Sequence, residues 1–429
     1  MSPRTIVEGT AAHKAYRYVP WGLFALAVVL APFWAVQTPR LDLGDSTFTI
    51  SLGNLNHSIA FMVGVLSLGL LAGYNGQISL GNSFFMGMGA YLTATLVVEN
   101  DWPYLLTLVV VLPVTFVVGM LIGIPALRIK GLYLALTTLG LAAVFPAVVR
   151  LSQLRDRTGG ANGKRITSDL DAPSWLPLDD LAGFLAGVPL AGEWWFGEGR
   201  LGSRGESEAW VYVLLVLIAG AAFWMTRNLV YSRPGRSIIA IRDNEVAAAV
   251  NGVHVPWTKT KTFGVSAALG GLSGSMYAMA VQFVAPDVFG INLAIFLIVG
   301  GVVGGVGTLT GPVIGGIVVV FVPVWLSQVA SVPGVPERFL RGPTAVFFLG
   351  LLLIVLTFLL PGGIVLGFRR LRARVVTVVP TAREAVLGEE IIPEISTASR
   401  RIPAQTAMES ETVPAFSATA QQTNQGDTP

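Results

Sequence analysis

Long apolar runs separated by short polar segments dominate the chain. Inside a lipid bilayer each backbone polar group needs an internal hydrogen-bond partner, so such runs predict transmembrane helices. Some of them are shorter than the roughly 20 residues that a straight crossing needs, which predicts tilted, broken or re-entrant segments. The runs span residues 21–36, 55–72, 83–98, 104–124, 131–149, 210–226, 263–283, 291–303, 311–326 and 344–360. We therefore predict an all-α polytopic membrane protein with about ten transmembrane helices and with broken or Gly-rich segments.

The composition supports a membrane class. Hydrophobic residues make up 53% of the 429 residues and charged residues only 12%, about half of the roughly 25% that soluble domains carry. The net charge of +3 is small and does not indicate a nucleic-acid partner. The chain has no cysteine, which excludes disulfides and thiolate metal sites, and its three histidines are too scattered to predict a metal site.

Basic residues orient the predicted spans. Loop 227–262 carries six Lys and Arg against two acidic residues, a net charge of 6 − 2 = +4, and four arginines lie between 369 and 374. By the positive-inside rule both regions are cytoplasmic, as are both termini, and the loop 150–209 lies outside. The first apolar run follows a basic N-terminal segment, and we interpret it as an uncleaved span, with a cleaved signal peptide as the alternative.

These assignments divide the chain into three parts. Residues 1–19 are predicted to be a cytoplasmic N-terminal segment, and residues 20–368 a transmembrane domain. Residues 369–429 begin as a basic juxtamembrane segment. From residue 375 the chain is rich in Thr, Ala, Ser, Pro, Gln and Glu, and it cannot bury enough apolar surface to offset the entropy of ordering, so we predict a disordered cytoplasmic tail.

The predicted spans contain no Asp, Glu, Lys or Arg. Ion-driven carriers usually keep such a group within the membrane to bind the coupling ion, and membrane enzymes need a nucleophile with a base or a set of metal ligands. We therefore predict no catalytic residue and no metal ligand. The segment TGGANGKR, 158–165, departs from the phosphate-binding loop pattern because Thr158 and Arg165 occupy key positions and because it lies outside.

The segment 233–252 predicts two short helices in water. Pro234 suits a first helical turn, Asp243 is expected to cap the second helix, and Gly252 stands where a left-handed C-cap is expected. One interpretation is a docking surface for another protein. The alternative is a solvated loop held by anionic lipid headgroups.

Several ordered blocks resemble permease subunits of the ATP-binding-cassette importers of branched-chain amino acids, a family that also includes permeases for urea and short amides. The blocks run from about residue 50 to 365 and include GYNGQISLGNSFFMGMGAYLTATL (73–96), IPALRIKGLYLALTTLGLA (124–142), TGGANG (158–163), GRSIIAIRDNEVAAAVNGVHVPWTKTKTFGVSAALGGLSGSMYA (235–278) and GGVGTLTGPVIGG (304–316). Asn82 stands where the family usually has a histidine.

The resemblance implies a multi-pass subunit in the cell membrane of a prokaryote, without catalytic activity. Its expected partners are a second homologous permease, two cytoplasmic ATPases that use ATP and Mg, an external substrate-binding protein and membrane lipid; the chain itself is expected to bind no cofactor. The segment 233–252 then corresponds to the element that the ATPase grips. The expected coupling residues are Gly235, Arg236, Ile241, Arg242, Asp243, Asn244, Glu245, Ala247, Ala248 and Gly252.

Uncharged polar residues collect around the Gly-rich block 73–96. Such side chains can line a pathway with weak hydrogen bonds, although Gly and Ser also serve simply to pack helices closely. The candidate pathway residues are Asn75, Gln77, Ser79, Asn82, Ser83, Thr137 and Thr138. The expected substrates are branched-chain or other hydrophobic amino acids. The alternative functions are a permease for urea or short amides and an ion-coupled secondary carrier.

Overall fold

The computed structural model describes most of the apolar part of the chain. The described residues are 4–7, 26–28, 30–31, 40–43, 46–126, 132–166, 202–328, 350–351, 362–368 and 376–379. Two units are distinguished, Pro20–Arg374 and a smaller one made of Met1–Val19 and Val375–Pro429. In the smaller unit, Arg4–Val7 and Val376–Val379 form a parallel strand pair. The rest of the predicted disordered tail lies outside the described residues.

The larger unit is built from helices, with short strands between them. The ten longer helical stretches are α1 Leu52–Leu68, α2 Asn82–Asn100, α3 Tyr104–Ala126, α4 Leu132–Val149, α5 Gly202–Tyr231, α6 Arg233–Asp243, α7 Glu245–Val250, α8 Val255–Val281, α9 Ile291–Gly304 and α10 Gly311–Gln328. Two antiparallel strand pairs join Arg40–Leu43 to Ser46–Thr49 and Lys164–Arg165 to Phe283–Val284. Eight of the ten apolar windows fall on these helices, which confirms the predicted all-α polytopic membrane fold.

The described helices account for part of the predicted membrane crossings. Among the described residues, four helical segments are long and apolar enough to cross a membrane, and a fifth arises if the pair Tyr133–Val149 and Ser152–Thr158, bent by 65°, is one span. The helices Ile291–Gly304 and Gly311–Trp325 are apolar but shorter. Large parts of windows 21–36 and 344–360 lie outside the described residues. The count of about ten stays a prediction.

Helix α8 forms the centre of the larger unit and packs against α1, α2 and α3. Small residues make this packing close. A Cβ added to Gly89 would lie 2.6 Å from the carbonyl carbon of Gly271, and one added to Gly274 would lie 2.7 Å from that of Met86. The backbones of α2 and α8 therefore touch, as small residues allow in membrane helix pairs.

Serine hydroxyls hold α8 against α1. The Ser273 hydroxyl donates to the Ala60 carbonyl at 2.8 Å, and the Ser266 hydroxyl donates to the Ser67 carbonyl at 2.8 Å. A buried hydroxyl without a partner is costly in an apolar medium, so these bonds fix the depth at which the two helices meet. The interior of the bundle is thus polar in places but uncharged.

Helices α3, α4 and α5 present large apolar side chains on their outer sides. Val109 and Leu121 on α3, Tyr133 on α4, and Leu217 and Trp224 on α5 are all more than half exposed. In a membrane protein such faces suit contact with lipid tails. Their apolar residues are spread around each helix because one side meets lipid and the other meets protein.

Ion pairs and a strand pair join the ends of helices at the end of the bundle that lies away from α6 and α7. Lys164 pairs with Glu99 at 2.6 Å and also donates to the Arg157 carbonyl at 2.7 Å. Arg150 pairs with Asp287 at 2.5 Å. Because Glu99 pairs with the Lys164 ammonium, this ammonium is not available to bind a phosphate at the turn 158–163. The loop residues 167–201, including Trp194 and Trp195, lie outside the described residues.

We predict that the Gly89→Ala variant loses about 1–3 kcal/mol of unfolding free energy, because the added methyl group presses on the Gly271 carbonyl. The matched control is Gly220→Ala, where an added Cβ meets no atom within 4 Å. The midpoint of thermal unfolding in detergent measures both. Equal midpoints for the two variants would contradict the proposed tightness of the α2–α8 contact.

Candidate functional site

Helices α6 and α7 form a compact pair between the two long helices α5 and α8. The hydroxyl of Ser232 accepts the amide of Gly235 at 3.4 Å and caps α6, with Pro234 in the first turn as predicted. Gly235 packs so closely on the carbonyl of Val230 that a Cβ there would clash. The glycine thus permits the sharp turn from α5 into α6.

The second helix begins one residue later than the sequence predicted. Asn244, not Asp243, caps α7, and its side-chain oxygen accepts the Ala247 amide at 3.0 Å. The expectation for Asp243 is wrong because that residue is still the last residue of α6, where its carboxylate pairs with Arg242 at 2.9 Å. Gly252 has a φ of +82°, which confirms the predicted left-handed position after α7.

The predicted coupling residues divide between the interior and the surface of the helix pair. Gly235, Ile241 and Ala248 are buried, and Ile241 and Ala248 pack on Val255 at the start of α8. Glu245 is partly buried and pairs with Lys259 of α8 at 2.8 Å. The exposed ones are Arg236, Arg242, Asp243, Asn244, Ala247 and Gly252.

The surface of α7 carries two valines that the sequence reasoning did not select. Val246 is 74% exposed and Val250 is 83% exposed, and their spacing of four residues places them on one side of the helix. Apolar residues at this spacing usually predict a face turned to the core, so the sequence alone favours burial. Here Ala248 faces the core instead, and the valines point into the surroundings.

The helical span that starts at Leu52 is interrupted after α1. A wider helical turn, Gly69–Tyr74, follows α1, and an irregular segment, residues 75–81, leads to the start of α2. Such widened turns are rare and are often found at functional sites. The predicted broken Gly-rich span is therefore present at 69–81.

The irregular segment places its polar side chains inside the protein. Asn75, Gln77 and Ser79 are buried, whereas the intervening Gly76 and Ile78 are exposed. Neither amide atom of Asn75 has a partner among the described residues, and the same holds for the side-chain oxygen of Gln77. Buried polar atoms normally have partners, so these unpaired groups need an explanation.

The other predicted pathway residues make bonds that hold helices together. Asn82 donates to the Ser67 hydroxyl at 2.6 Å and so joins α2 to α1. Thr138 of α4 accepts the amide of Leu80 at 2.9 Å and anchors the irregular segment. The Ser79 hydroxyl accepts the Gly81 amide at 3.2 Å.

The last two predicted pathway residues lie in different surroundings. Ser83 is buried, and its hydroxyl has no partner among the described residues. Thr137 is exposed and donates to the Leu134 carbonyl of its own helix at 2.9 Å. The structure thus groups Asn75, Gln77, Ser79, Asn82 and Ser83 along one short stretch of chain, and it adds Thr138 but not Thr137.

The interrupted span touches two other parts of the bundle. A Cβ on Gly73 would lie 2.6 Å from the Gly307 Cα, in the turn between α9 and α10. The Arg242 side chain of α6 donates from Nη1 to the Gly73 carbonyl at 3.0 Å. The helix pair, the interrupted span and the α9–α10 turn therefore meet at Gly73.

No group of three or more His, Asp or Glu side chains in the described ranges is arranged to hold a metal ion. The arrangement that is present consists of unpaired amide groups beside a broken helix, and of a helix pair that offers an apolar surface. Together with the membrane fold, this arrangement is typical of a membrane transport protein rather than of a receptor for a metal or a nucleotide.

Comparisons with known proteins agree with this class. The family model described as "Branched-chain amino acid transport system / permease component" matches residues 51–357. The chain belongs to this family, and it is a membrane-embedded component of a multi-subunit transporter.

Two curated relatives carry the name "High-affinity branched-chain amino acid transport system permease protein LivM". The one from Escherichia coli (strain K12) is 27% identical over 308 residues, which cover 70% of this chain and 67% of the relative. The one from Salmonella typhimurium (strain LT2) is 27% identical over 292 residues, covering 67% of this chain and 64% of the relative. The match thus spans about two thirds of each relative's own length. No solved structure matches this chain.

The capping role of Asn244 is testable in the isolated subunit. Asn244→Ala is expected to destabilise α7 by about 1 kcal/mol and to speed hydrogen exchange of the Ala247 amide roughly fivefold, because that amide loses its acceptor. Asn244→Asp keeps an acceptor and should preserve protection, and Asp243→Ala should leave it unchanged. Faster exchange in Asp243→Ala than in Asn244→Ala would show that the cap is assigned to the wrong residue.

Proposed function

We propose that this chain is the non-catalytic, membrane-spanning permease subunit of an ATP-binding-cassette importer for branched-chain or other hydrophobic amino acids. Two separate ATPase subunits dock on residues 233–252 and supply the energy. A second homologous permease completes the pathway, and an external binding protein delivers the substrate. ATP and Mg are bound by the ATPase subunits, and this chain binds neither.

The observation that carries the proposal is a separation of roles along the chain. The predicted spans contain no Asp, Glu, Lys or Arg, so they lack the charged groups that ion-driven carriers usually use to bind a coupling ion. The helix pair, in contrast, holds Val246 and Val250 exposed among charged and polar residues. Such apolar side chains surrounded by polar ones are typical of the centre of a protein interface. Energy therefore enters through contact with a partner.

The orientation follows from charge. The helix pair lies within the most basic loop, which places it in the cytoplasm, where ATPase subunits have access to ATP. The end with the Lys164–Glu99 and Arg150–Asp287 pairs then faces outside and is where the binding protein would dock.

The unpaired amides offer chemistry that suits an amino acid. Asn75 has a donor and an acceptor, and Gln77 has a further acceptor, without partners among the described residues. An amino acid presents both an ammonium donor and a carboxylate acceptor, and uncharged amides can bind both without holding either strongly. A passing substrate would satisfy these groups for a short time, which favours release over tight binding.

Docking on α7 is tested by placing a charge among the apolar contacts. Val246→Asp in the co-expressed importer is expected to reduce ATPase recovery by at least about tenfold on affinity purification of this chain, because an unpaired carboxylate would be buried at the interface. The matched control is Asn228→Asp, which adds the same charge on the exposed last turn of α5. Undiminished ATPase recovery with Val246→Asp would rule out docking on this face.

Transport itself is tested in proteoliposomes. The complete importer with its binding protein is expected to accumulate leucine, isoleucine or valine only when ATP is supplied on the ATPase side. The subunit alone is expected to accumulate none of them under a proton or sodium gradient. Accumulation by the subunit alone would establish the secondary-carrier alternative, and uptake of urea or short amides in preference to leucine would assign the other substrate class.

A further inference from the structure

Arg242 occupies an unusual place for a residue of a docking surface. It lies near the end of α6, yet its guanidinium points to the interrupted span, where Nη1 donates to the Gly73 carbonyl at 3.0 Å. Its Cγ is also 3.0 Å from the position that a Cβ on Gly76 would take. Arg242, which belongs to the helix pair, therefore also contacts the interrupted span.

The neighbouring carboxylate fixes the direction of the guanidinium. Asp243 accepts from Nε of Arg242 at 3.0 Å and also lies 2.9 Å from Nη2, so two nitrogens of the fork face one oxygen. Nη1 is left to reach the Gly73 carbonyl. A planar guanidinium held in this way has little freedom to rotate toward another acceptor.

The helix pair behaves as a unit that can move Arg242. Ile241 and Ala248 pack together on Val255, and Asn244 caps α7 at the junction with α6. A force applied to the exposed side of α7 is therefore passed to α6, and with it to Arg242. Contiguous packed groups of this kind are the physical means by which one site can bias another.

The interrupted span also packs closely against the turn between α9 and α10. Gly73 lies in the widened helical turn, one residue before its end, and a Cβ on Gly73 would clash with the backbone of Gly307. Gly307 itself has a φ of +82°, a conformation that favours glycine. After Tyr74 the chain enters the irregular segment with Asn75 and Gln77. A shift of the Gly73 carbonyl thus changes both the contact with the α9–α10 turn and the access to the unpaired amides.

We propose that Arg242 is a positioning residue that transmits movement of the helix pair to the interrupted span. Displacement of α6 and α7 by the ATPases pulls the Gly73 carbonyl away from Gly307, and this opens the cytoplasmic end of the polar segment 75–79. The inference rests on the proposed function, since it needs a partner that moves the helix pair. The side chain of Arg242 is 39% exposed, so its guanidinium stays in contact with solvent and can move with α6 while it keeps the bond to Gly73.

The test uses the absence of cysteine from the natural chain. Ser79→Cys places one thiol at a buried position of the irregular segment, two residues after the buried Gln77. The complete importer is prepared in inside-out vesicles, and the rate at which a membrane-impermeant maleimide labels position 79 is measured without nucleotide and after trapping with ATP and vanadate. Arg242→Ala, Arg242→Lys and Arg227→Ala are each added to this background.

With Arg242 present, the labelling rates in the two nucleotide states should differ by more than about fivefold, the lower end of common coupling factors. Arg242→Ala should bring the two rates together and reduce ATP-driven uptake, and ATPase recovery is measured on the same preparation. Arg242→Lys keeps a donor for the Gly73 carbonyl and should restore part of the difference. Arg227→Ala removes the same charge at the end of α5, where the guanidinium lies over the Tyr231 ring, and should behave as the parent.

Two results would overturn the inference while leaving the proposed function intact. One is a full difference in labelling between the nucleotide states with Arg242→Ala. The other is loss of ATPase recovery with Arg242→Ala, which would make Arg242 a docking residue. Equal labelling in both states of the parent importer would likewise exclude opening at this segment. Failure to recover any ATPase with the parent chain would instead refute the proposed function, and this inference would fall with it.

Discussion

The close approach of α8 to α1 and α2 is the contact on which the rest of the bundle depends. Glycine at 89, 271 and 274 lets two backbones touch, and the hydroxyls of Ser266 and Ser273 bond carbonyls of the neighbouring helix. In lipid the hydrophobic effect does not drive helices together, so packing and interhelical hydrogen bonds must do so. The same small residues leave no room for a charged side chain at this centre. Among the described residues, the centre of the bundle is consequently polar but holds no Asp, Glu, Lys or Arg.

This constraint explains why the first well-described span can be broken. An interrupted helix exposes backbone and side-chain polar groups, and such groups are tolerated at membrane depth only where protein or a water-filled cavity surrounds them. Thr138 bonds the Leu80 amide, and Asn82 bonds the Ser67 hydroxyl, so part of the demand is met by neighbouring helices. The side-chain amide of Asn75 has no such hydrogen-bond partner among the described residues. The polar group without a partner thus belongs to the segment that lies nearest to the helix pair.

The sequence was sufficient to predict the helices and the class, because apolar windows and the missing charges depend on local composition. It was also sufficient for the broken span, since glycine and uncharged polar residues cluster there. It failed by one residue at the α7 cap, because Asp243 and Asn244 are both good caps and only the length of α6 decides between them. It also missed Val246 and Val250, because a spacing of four residues does not reveal which side of a helix has a neighbour. The contact of Arg242 with Gly73 joins residues 169 positions apart, and no local pattern encodes it.

The same geometry separates two tasks that the proposed docking on the helix pair requires. Surface apolar residues such as Val246 can hold a partner, but they do not contact the rest of the bundle and cannot by themselves change it. Arg242 has the opposite arrangement, because its charge is screened by Asp243 and its reach is directed inward to a backbone carbonyl. A backbone acceptor is a suitable target for such a contact: moving it moves the chain itself, whereas moving a side chain often ends in a rotamer change. Under the proposed function, work delivered by contact at the helix pair would have a short covalent path, from Gly73 to Asn75, to the groups proposed to meet a substrate.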